Sequence, residues 1–534
     1  MSNPKARPCE EAAIRAAAAA PQCSAATKRW VLAVTILAST ISYIDESVVN
    51  VALPRIEAEL QTSAAVVQWL VNAYMLSLAA LLLIGGASGD RFGRRRVFVT
   101  GTSVFAAASV WCGLSPNVAQ LIAARFVQGA GAALLIPCAL AIIGATFEES
   151  ERGKAIGTWA GFSAISAAFG PLLGGFIVDH VSWRWIFLIN PFVAIPTIAI
   201  AVMHVPESRD AEAKGALDWR GAVLVFAGLG CLVFGLIALP TAGSDNIYVW
   251  ATLVAAIVLL AAFVWEEMRS VAPMMPLALF ASRTFSGINM LTVLLYAALG
   301  GAFFFLPFAL IQVHGASATL AGSMFLPFTV VMAALSRWSG GLIDRFGARL
   351  PLMAGPAIAA LGFALLAVPG TDGSVFVDFA PAMVVLGLGM AVTVAPLTTS
   401  VINAVPTHQA GIASGINNAV ASVASLLAVA ILGAVALSSY DRALEARAGA
   451  QPSAVVRDAV LAARGAFVAE PPALAAEERQ AVQAITKASL AHAIRLVMLL
   501  AAALALASAV CAALTIDPQK RKEPVPSGKP APAG

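Results

Sequence analysis

A helix needs roughly 20 apolar residues to cross the hydrocarbon core of a bilayer, and this chain carries about fourteen such segments in succession between Trp30 and Thr515. Their approximate limits are 30–53, 64–86, 97–114, 118–146, 155–178, 185–203, 221–240, 249–265, 286–312, 317–340, 350–368, 377–402, 411–437 and 491–515. Because a backbone in lipid must satisfy its own hydrogen bonds, such segments can only be helices. Composition agrees: 60% hydrophobic and 12% charged residues leave too little polar surface for a soluble domain of 534 residues. The expectation is an all-α integral membrane protein with about 14 transmembrane helices.

The net charge of +4 says little as a total, because orientation depends on which loops hold lysine and arginine. Lys28 and Arg29, then Arg91, Arg94, Arg95 and Arg96, then Arg152 and Lys154, then Arg209, Lys214 and Arg220 all fall on one side of the span order. The other side has only Arg55 and Arg184 in its short loops. Both termini are therefore expected in the cytoplasm, with the chain in the cytoplasmic membrane of the cell. Residues 1–28 are polar and alanine-rich and lack the short apolar region and cleavage site of a secretory signal, so the first span is expected to remain in the mature protein. Six scattered cysteines form no CxxC pair and suggest neither a disulfide framework nor a metal site. Nucleic-acid binding has almost no support.

An internal repeat organises the spans. The turn GASGDRFGRRR at 86–96 recurs as GGLIDRFGARL at 340–350, an offset of 254 positions that carries Asp90 onto Asp344. At an offset of 258, Gly129 and Gly131 overlie Gly387 and Gly389, and Gly153 and Gly157 overlie Gly411 and Gly415. Ordered matches of this kind indicate two related halves. The resulting plan is a tail at 1–29, a six-helix bundle at 30–203, a linker with two inserted helices at 204–283, a second six-helix bundle at 284–515 and a tail at 516–534. Within the second bundle, residues 438–490 have balanced charge and Ala, Pro and Gln content that suggest a loosely ordered external loop.

Candidate chemistry begins with Asp45 and Glu46, which interrupt the first span where a carboxylate costs about 2.5–3.5 kcal/mol on insertion scales. At about 1.5 Å per residue, Asp45 lies roughly 13 Å and Arg125 about 12 Å from the outer ends of their spans, so opposite charges share a layer. Gln128 follows Arg125 by one turn. Ser42, Asp45, Glu46 and Asn50 form a polar stripe suited to a water-filled cavity. Burial and Arg125 act on the proton affinity of Asp45 in opposite senses, leaving a group able to exchange its proton for a cation; the alternative is a static pair that only packs helices, and Glu46 could instead lie near the outer interface. Asp90 sits at a helix C-terminus, where the dipole disfavours a carboxylate. It needs a partner such as Arg94 or another helix's N-terminus. With Gly85, Gly86, Gly89, Arg91, Gly93 and Arg94, and the repeat residues Asp344 and Arg345, this turn reads as a conformational latch; a loop that only fixes orientation is the simpler alternative. In the fifth span Gly157, Gly161, Gly170, Gly174 and Gly175 clear one face and Pro171 removes a backbone donor. Asn50, Tyr74, Asn289, Tyr296 and Asn418 are candidate cavity residues, with Phe303, Phe304 and Phe305 an aromatic group near Asn289.

The motifs IDESVVNVALP, GASGDRFGRRR, RFVQGAGAA and GFSAISAAFGPLLGG, with WRWIFLINPF at 183–192, together resemble the major facilitator superfamily, and within it the fourteen-span drug:proton antiporter branch. The resemblance covers Trp30 to about Thr515. It implies two bundles rocking about a central cavity and proton influx driving export. It also implies a protonation and cation site at Asp45 coupled to Arg125, a latch at Asp90, and an antiporter motif at Gly170, Pro171, Gly174 and Gly175. Glu46 beside Asp45, Ser47 where threonine is common, and Ala348 in the second turn depart from the pattern. The expected protein is thus a secondary transporter and not an enzyme, monomeric in the lipid bilayer, handling a small molecule and protons. The proton gradient takes the place of any cofactor. A dedicated exporter of one metabolite, such as an antibiotic or siderophore, shares every motif. A membrane-embedded enzyme or sensor lacks any clustered metal-ligand set, nucleophile motif or phosphate-cradling loop in this sequence.

Overall fold

The computed structural model describes residues 24–209, 217–243, 245–270, 273–371, 373–405, 409–467 and 474–516. Among these, 14 helices are long and apolar enough to cross a membrane. They are α1 (Ala25–Glu59), α2 (Ala64–Phe92), α3 (Arg94–Leu114), α4 (Val118–Thr146), α5 (Lys154–His180), α6 (Trp185–His204), α7 (Trp219–Ala242), α8 (Ile247–Arg269), α9 (Arg283–Val313), α10 (Ala318–Leu335), α11 (Arg349–Leu366), α12 (Val375–Asn403), α13 (Ile412–Gly449) and α14 (Ala476–Thr515). Apolar length makes each a span, and side-chain caps fix several starts by satisfying orphan N–H groups. Asn117 accepts from Gln120 N at 3.0 Å, Asp218 from Gly221 N at 2.8 Å, and Ser317 from Leu320 N at 3.1 Å.

The duplication is visible in packing. The last glycine of each DRFG turn takes a positive φ, 107° at Gly93 and 72° at Gly347, a conformation that a Cβ disfavours. Gly129 brings α4 against the Tyr74 carbonyl of α2, and Gly387 brings α12 against the Phe328 carbonyl of α10; Gly131 and Gly389 make the matching approaches to α3 and α11. Small residues are what let membrane helices approach so closely. Helices α1–α6 and α9–α14 therefore form similar bundles. The inserted pair lies beside them, with Phe226 and Phe234 of α7 against Phe126 and Trp69 of the first bundle and much of α8 exposed.

One expectation fails. Among the described residues of the segment 438–490 the chain is not a loosely ordered loop, because α13 and α14 continue into it and a short helix spans Ala454–Ala462. Alanine is a strong helix former, and the composition that suggested disorder propagates both helices beyond bilayer length. After the short helix, Phe467 stacks edge-on against Phe305 and Phe308 of α9 and Tyr440 of α13. Its N–H donates to the Glu57 carboxylate of α1 at 2.8 Å, so this segment bridges both bundles.

Candidate coupling site in the first bundle

Asp45 and Arg125 come together inside the first bundle. Arg125 Nη1 donates to Asp45 Oδ2 at 2.5 Å and to Gln128 Oε1 at 2.7 Å, and its Nε donates to the Leu70 carbonyl at 3.0 Å. The guanidinium lies over the Tyr74 ring, 4.3 Å from its centroid. The other Asp45 oxygen accepts from Gln128 Nε2 at 2.8 Å and from Asn190 Nδ2 at 2.9 Å, and both amides also reach Ser109 Oγ. The spacing explains the convergence. Arg125 and Gln128 are three apart on α4 and so share a face, while Asp45 and Ser42 share a face of α1, where Ser42 Oγ lies 3.0 Å from the Tyr74 hydroxyl. Three helices, α1, α4 and α6, thus meet at one carboxylate, and Ser109 of α3 braces the two amides that hold it.

Asp45 is only 1% exposed, as is Arg125. The expected water-filled stripe is therefore corrected at Asp45: it faces its own bundle, sealed among polar side chains. Glu46 is half-buried instead, and no hydrogen bond or ion pair engages its side chain among the described residues. Adjacent helical residues differ in direction by about 100°, which is why one acid is enclosed and the next is not. A buried ion pair is costly to break from one side. Here, however, Arg125 keeps the Gln128 oxygen, the Leu70 carbonyl and the Tyr74 face even when Asp45 is neutral.

The remaining candidates scatter. Asn289 is tied down, donating to the Phe285 carbonyl and accepting from Asn417 Nδ2 at 3.2 Å. Phe304 and Phe305 pack with Phe308 and Phe467 rather than around Asn289, and Phe303 packs edge-on with Phe325 and Phe328. Tyr296 is half-buried and Asn418 exposed, and Asn50 Nδ2 makes a long 3.5 Å bond to the Glu46 carbonyl. Asp90 pairs with Arg94 at 2.7 Å. Arg95 reaches the Val205 carbonyl and Glu207, and Arg94 N donates to the Ser208 carbonyl. Gly85 and Gly89 admit α4 of the same bundle, whereas a Cβ at Gly86 would touch only Pro137. Arg345 is exposed at the repeat turn; the side chain of Asp344 lies outside the described residues.

The fifth helix is corrected in part. A Cβ at Gly157 or Gly161 would meet nothing, so these do not clear a packed face. Gly170 and Gly174 admit Ser47 and Val48 of α1. Gly175 touches the Ala318 backbone of α10, and Gly322 of α10 touches the Pro171 backbone of α5. The two bundles are thus in backbone contact at the end of the molecule away from the Asp90 turn, called here the far end.

Asp179 completes this contact, and sequence reasoning missed it. Its Oδ1 accepts from Ala318 N at 3.1 Å, and its Oδ2 accepts from Thr319 N at 2.7 Å and Thr319 Oγ1 at 2.6 Å. An acid at a helix C-terminus needs a partner, at Asp179 as at Asp90, and here the partner is the start of α10. Asp179 is exposed, so solvent screens the clasp, and Asp179→Ala is expected to cost about 0.5–1.5 kcal/mol, read as a lower midpoint of thermal unfolding; an unchanged midpoint contradicts a binding role for the clasp. Asn190, Ser109 and Glu207 were also missed, as single polar residues with no pattern.

A family model for the Major Facilitator Superfamily matches residues 35–429. The chain is 34% identical over 505 residues to a tetracenomycin C resistance and export protein of Streptomyces glaucescens, covering 92% of each. It is also 34% identical over 424 residues to the multidrug resistance protein Stp of Mycobacterium tuberculosis, covering 78% of each. Among solved structures, a bacterial homolog of the human lysosomal transporter Spinster aligns with a TM-score of 0.65 at 16% identity, over 92% of this chain and 97% of that one. That identity speaks for the fold alone.

Proposed function

This chain belongs to the Major Facilitator Superfamily, and we propose that within it the protein is a proton-coupled antiporter exporting amphipathic small molecules, cationic drugs among them, across the cytoplasmic membrane. Both termini are cytoplasmic in this reading, the far end is external and the working unit is a monomer. The observation that carries it is the enclosed Asp45 network, with a second, unengaged carboxylate one residue away. Asp45 is the proton site. Its charge is balanced by Arg125 when ionised, and its protonation releases α1 from α4 and α6 while Arg125 stays satisfied. Glu46, turned out of that network, offers a carboxylate to a positively charged substrate. Alternating access then follows if the two occupancies favour different arrangements of the bundles.

The test is transport in proteoliposomes under an imposed pH gradient. Asp45→Asn is expected to abolish acceleration by the gradient, and Glu46→Gln to weaken cationic substrates more than neutral ones. Normal gradient-driven transport by Asp45→Asn would sink the mechanism.

A second reading has support of its own. A relative named for export of one antibiotic matches 92% of the chain, which favours a dedicated exporter. A substrate panel separates the two: one compound transported out of many supports the narrow reading.

A further inference from the structure

Two buried amides on α2 have no evident reason to be where they are. Asn72 is 0% exposed and neither its Nδ2 nor its Oδ1 has a hydrogen-bond partner; Gln68 is 1% exposed and its Oε1 is likewise unpartnered. An unmet buried amide costs free energy that an apolar side chain of similar size would avoid. Neither residue belongs to the Asp45 network, although Leu70, between them, supplies the carbonyl to Arg125.

Their direction is informative. Gln68 lies against Gly433 of α13, where a Cβ would collide with its amide group. Asn72 is one turn along the same face of α2. Gln68 therefore points at the second bundle, and helical spacing places Asn72 on that same face, at the boundary that the Asp179 clasp and the Gly175 and Gly322 contacts hold shut at the far end. In the closed arrangement the amides are buried. Once α2 and α13 separate they are hydrogen-bonding groups of α2 beside the gap, Asn72 at about the depth of Asp45 and Gln68 one turn nearer the exterior.

We propose that Gln68 and Asn72 form a hydrogen-bonding subsite of the opposite, outward-open arrangement, contacting the hydroxyl, amine or amide groups of the exported molecule as it leaves. This rests on the alternating-access reading above and extends it by placing a second, uncharged recognition element from the depth of the carboxylates toward the exit. Their unmet groups also disfavour the closed far end, so the same side chains help it reopen.

Asn72→Leu and Gln68→Met keep the volume and remove the polar groups. Two probes separate recognition from general damage: ethidium, whose amino groups donate hydrogen bonds, and tetraphenylphosphonium, an amphipathic cation with none. Each variant is expected to export ethidium about tenfold more slowly, the worth of roughly one hydrogen bond, while tetraphenylphosphonium export stays within twofold. Equal losses for both cations, or no loss for either, overturn the subsite.

A second readout involves neither protons nor transport. Ala436, fully buried on the Gly433 face of α13, is replaced by cysteine in a background without the six native cysteines and labelled with an impermeant maleimide. Removing either amide is expected to slow labelling, because the closed far end is relieved of an unmet group; equal rates overturn the proposal even if neither cation is a substrate. Loss of gradient dependence with these results intact would count against antiport and not against the subsite.

Discussion

Arg125→Met is expected to destabilise the protein by about 3–5 kcal/mol, because it leaves the Asp45 carboxylate enclosed with only the Gln128 and Asn190 amides for company. The signature is recovery: adding Asp45→Asn to Arg125→Met removes the stranded charge, and the double variant should regain most of the lost stability. Thermal unfolding of the four proteins completes a double-mutant cycle with a large coupling term. Additive effects would mean that the two side chains act independently. Asp45→Asn alone removes the counter-charge of Arg125 and also costs stability, though less, since the guanidinium retains the Gln128 oxygen, the Leu70 carbonyl and the Tyr74 face. A large loss there would contradict the view that the site tolerates a neutral Asp45.

Gly175→Val and Gly322→Val should abolish transport while leaving the separate bundles folded. Each glycine lies where any Cβ would strike backbone of the opposite bundle, Ala318 in one case and Pro171 in the other. Backbone cannot rotate away as a side chain can, so the far end cannot close and the cycle stops with that end open. Impermeant maleimide should then label Ala436→Cys faster than in the parent protein, with export lost. Slow labelling together with active export would show that the contact is not part of the cycle. Gly161→Val provides the contrast: its Cβ would meet nothing within 4 Å, and transport should persist.

Much of the architecture was legible because it follows from bilayer physics and from duplication. Apolar length dictated the spans, all fourteen of which appear as helices. The shared DRFG turn predicted two matched bundles, and the positive φ at Gly93 and Gly347 shows why the glycine recurs. Helical rise alone put Asp45 and Arg125 in one layer, and they are in contact. What escaped was direction around the helix axis. Depth can be counted along a sequence, but whether Asp45 or Glu46 faces the bundle interior depends on how α1 is rotated against α4 and α6, and that is decided by partners such as Asn190 that carry no pattern of their own. The helical part of 438–490 escapes for a related reason: alanine-rich composition resembles that of a loop, whereas alanine's helix propensity extends α13 and α14. The far-end contacts were invisible because they join residues from different halves, and no spacing rule relates Asp179 to Ala318.

The central claim is that one proton is exchanged at Asp45 when substrate binds. Purified protein in weakly buffered detergent solution, mixed with a transported cation while pH is followed with an indicator dye, measures this directly. The account predicts proton release that saturates with substrate in the native protein and in Glu46→Gln at higher substrate concentration, and none with Asp45→Asn. Undiminished proton release from Asp45→Asn would contradict it.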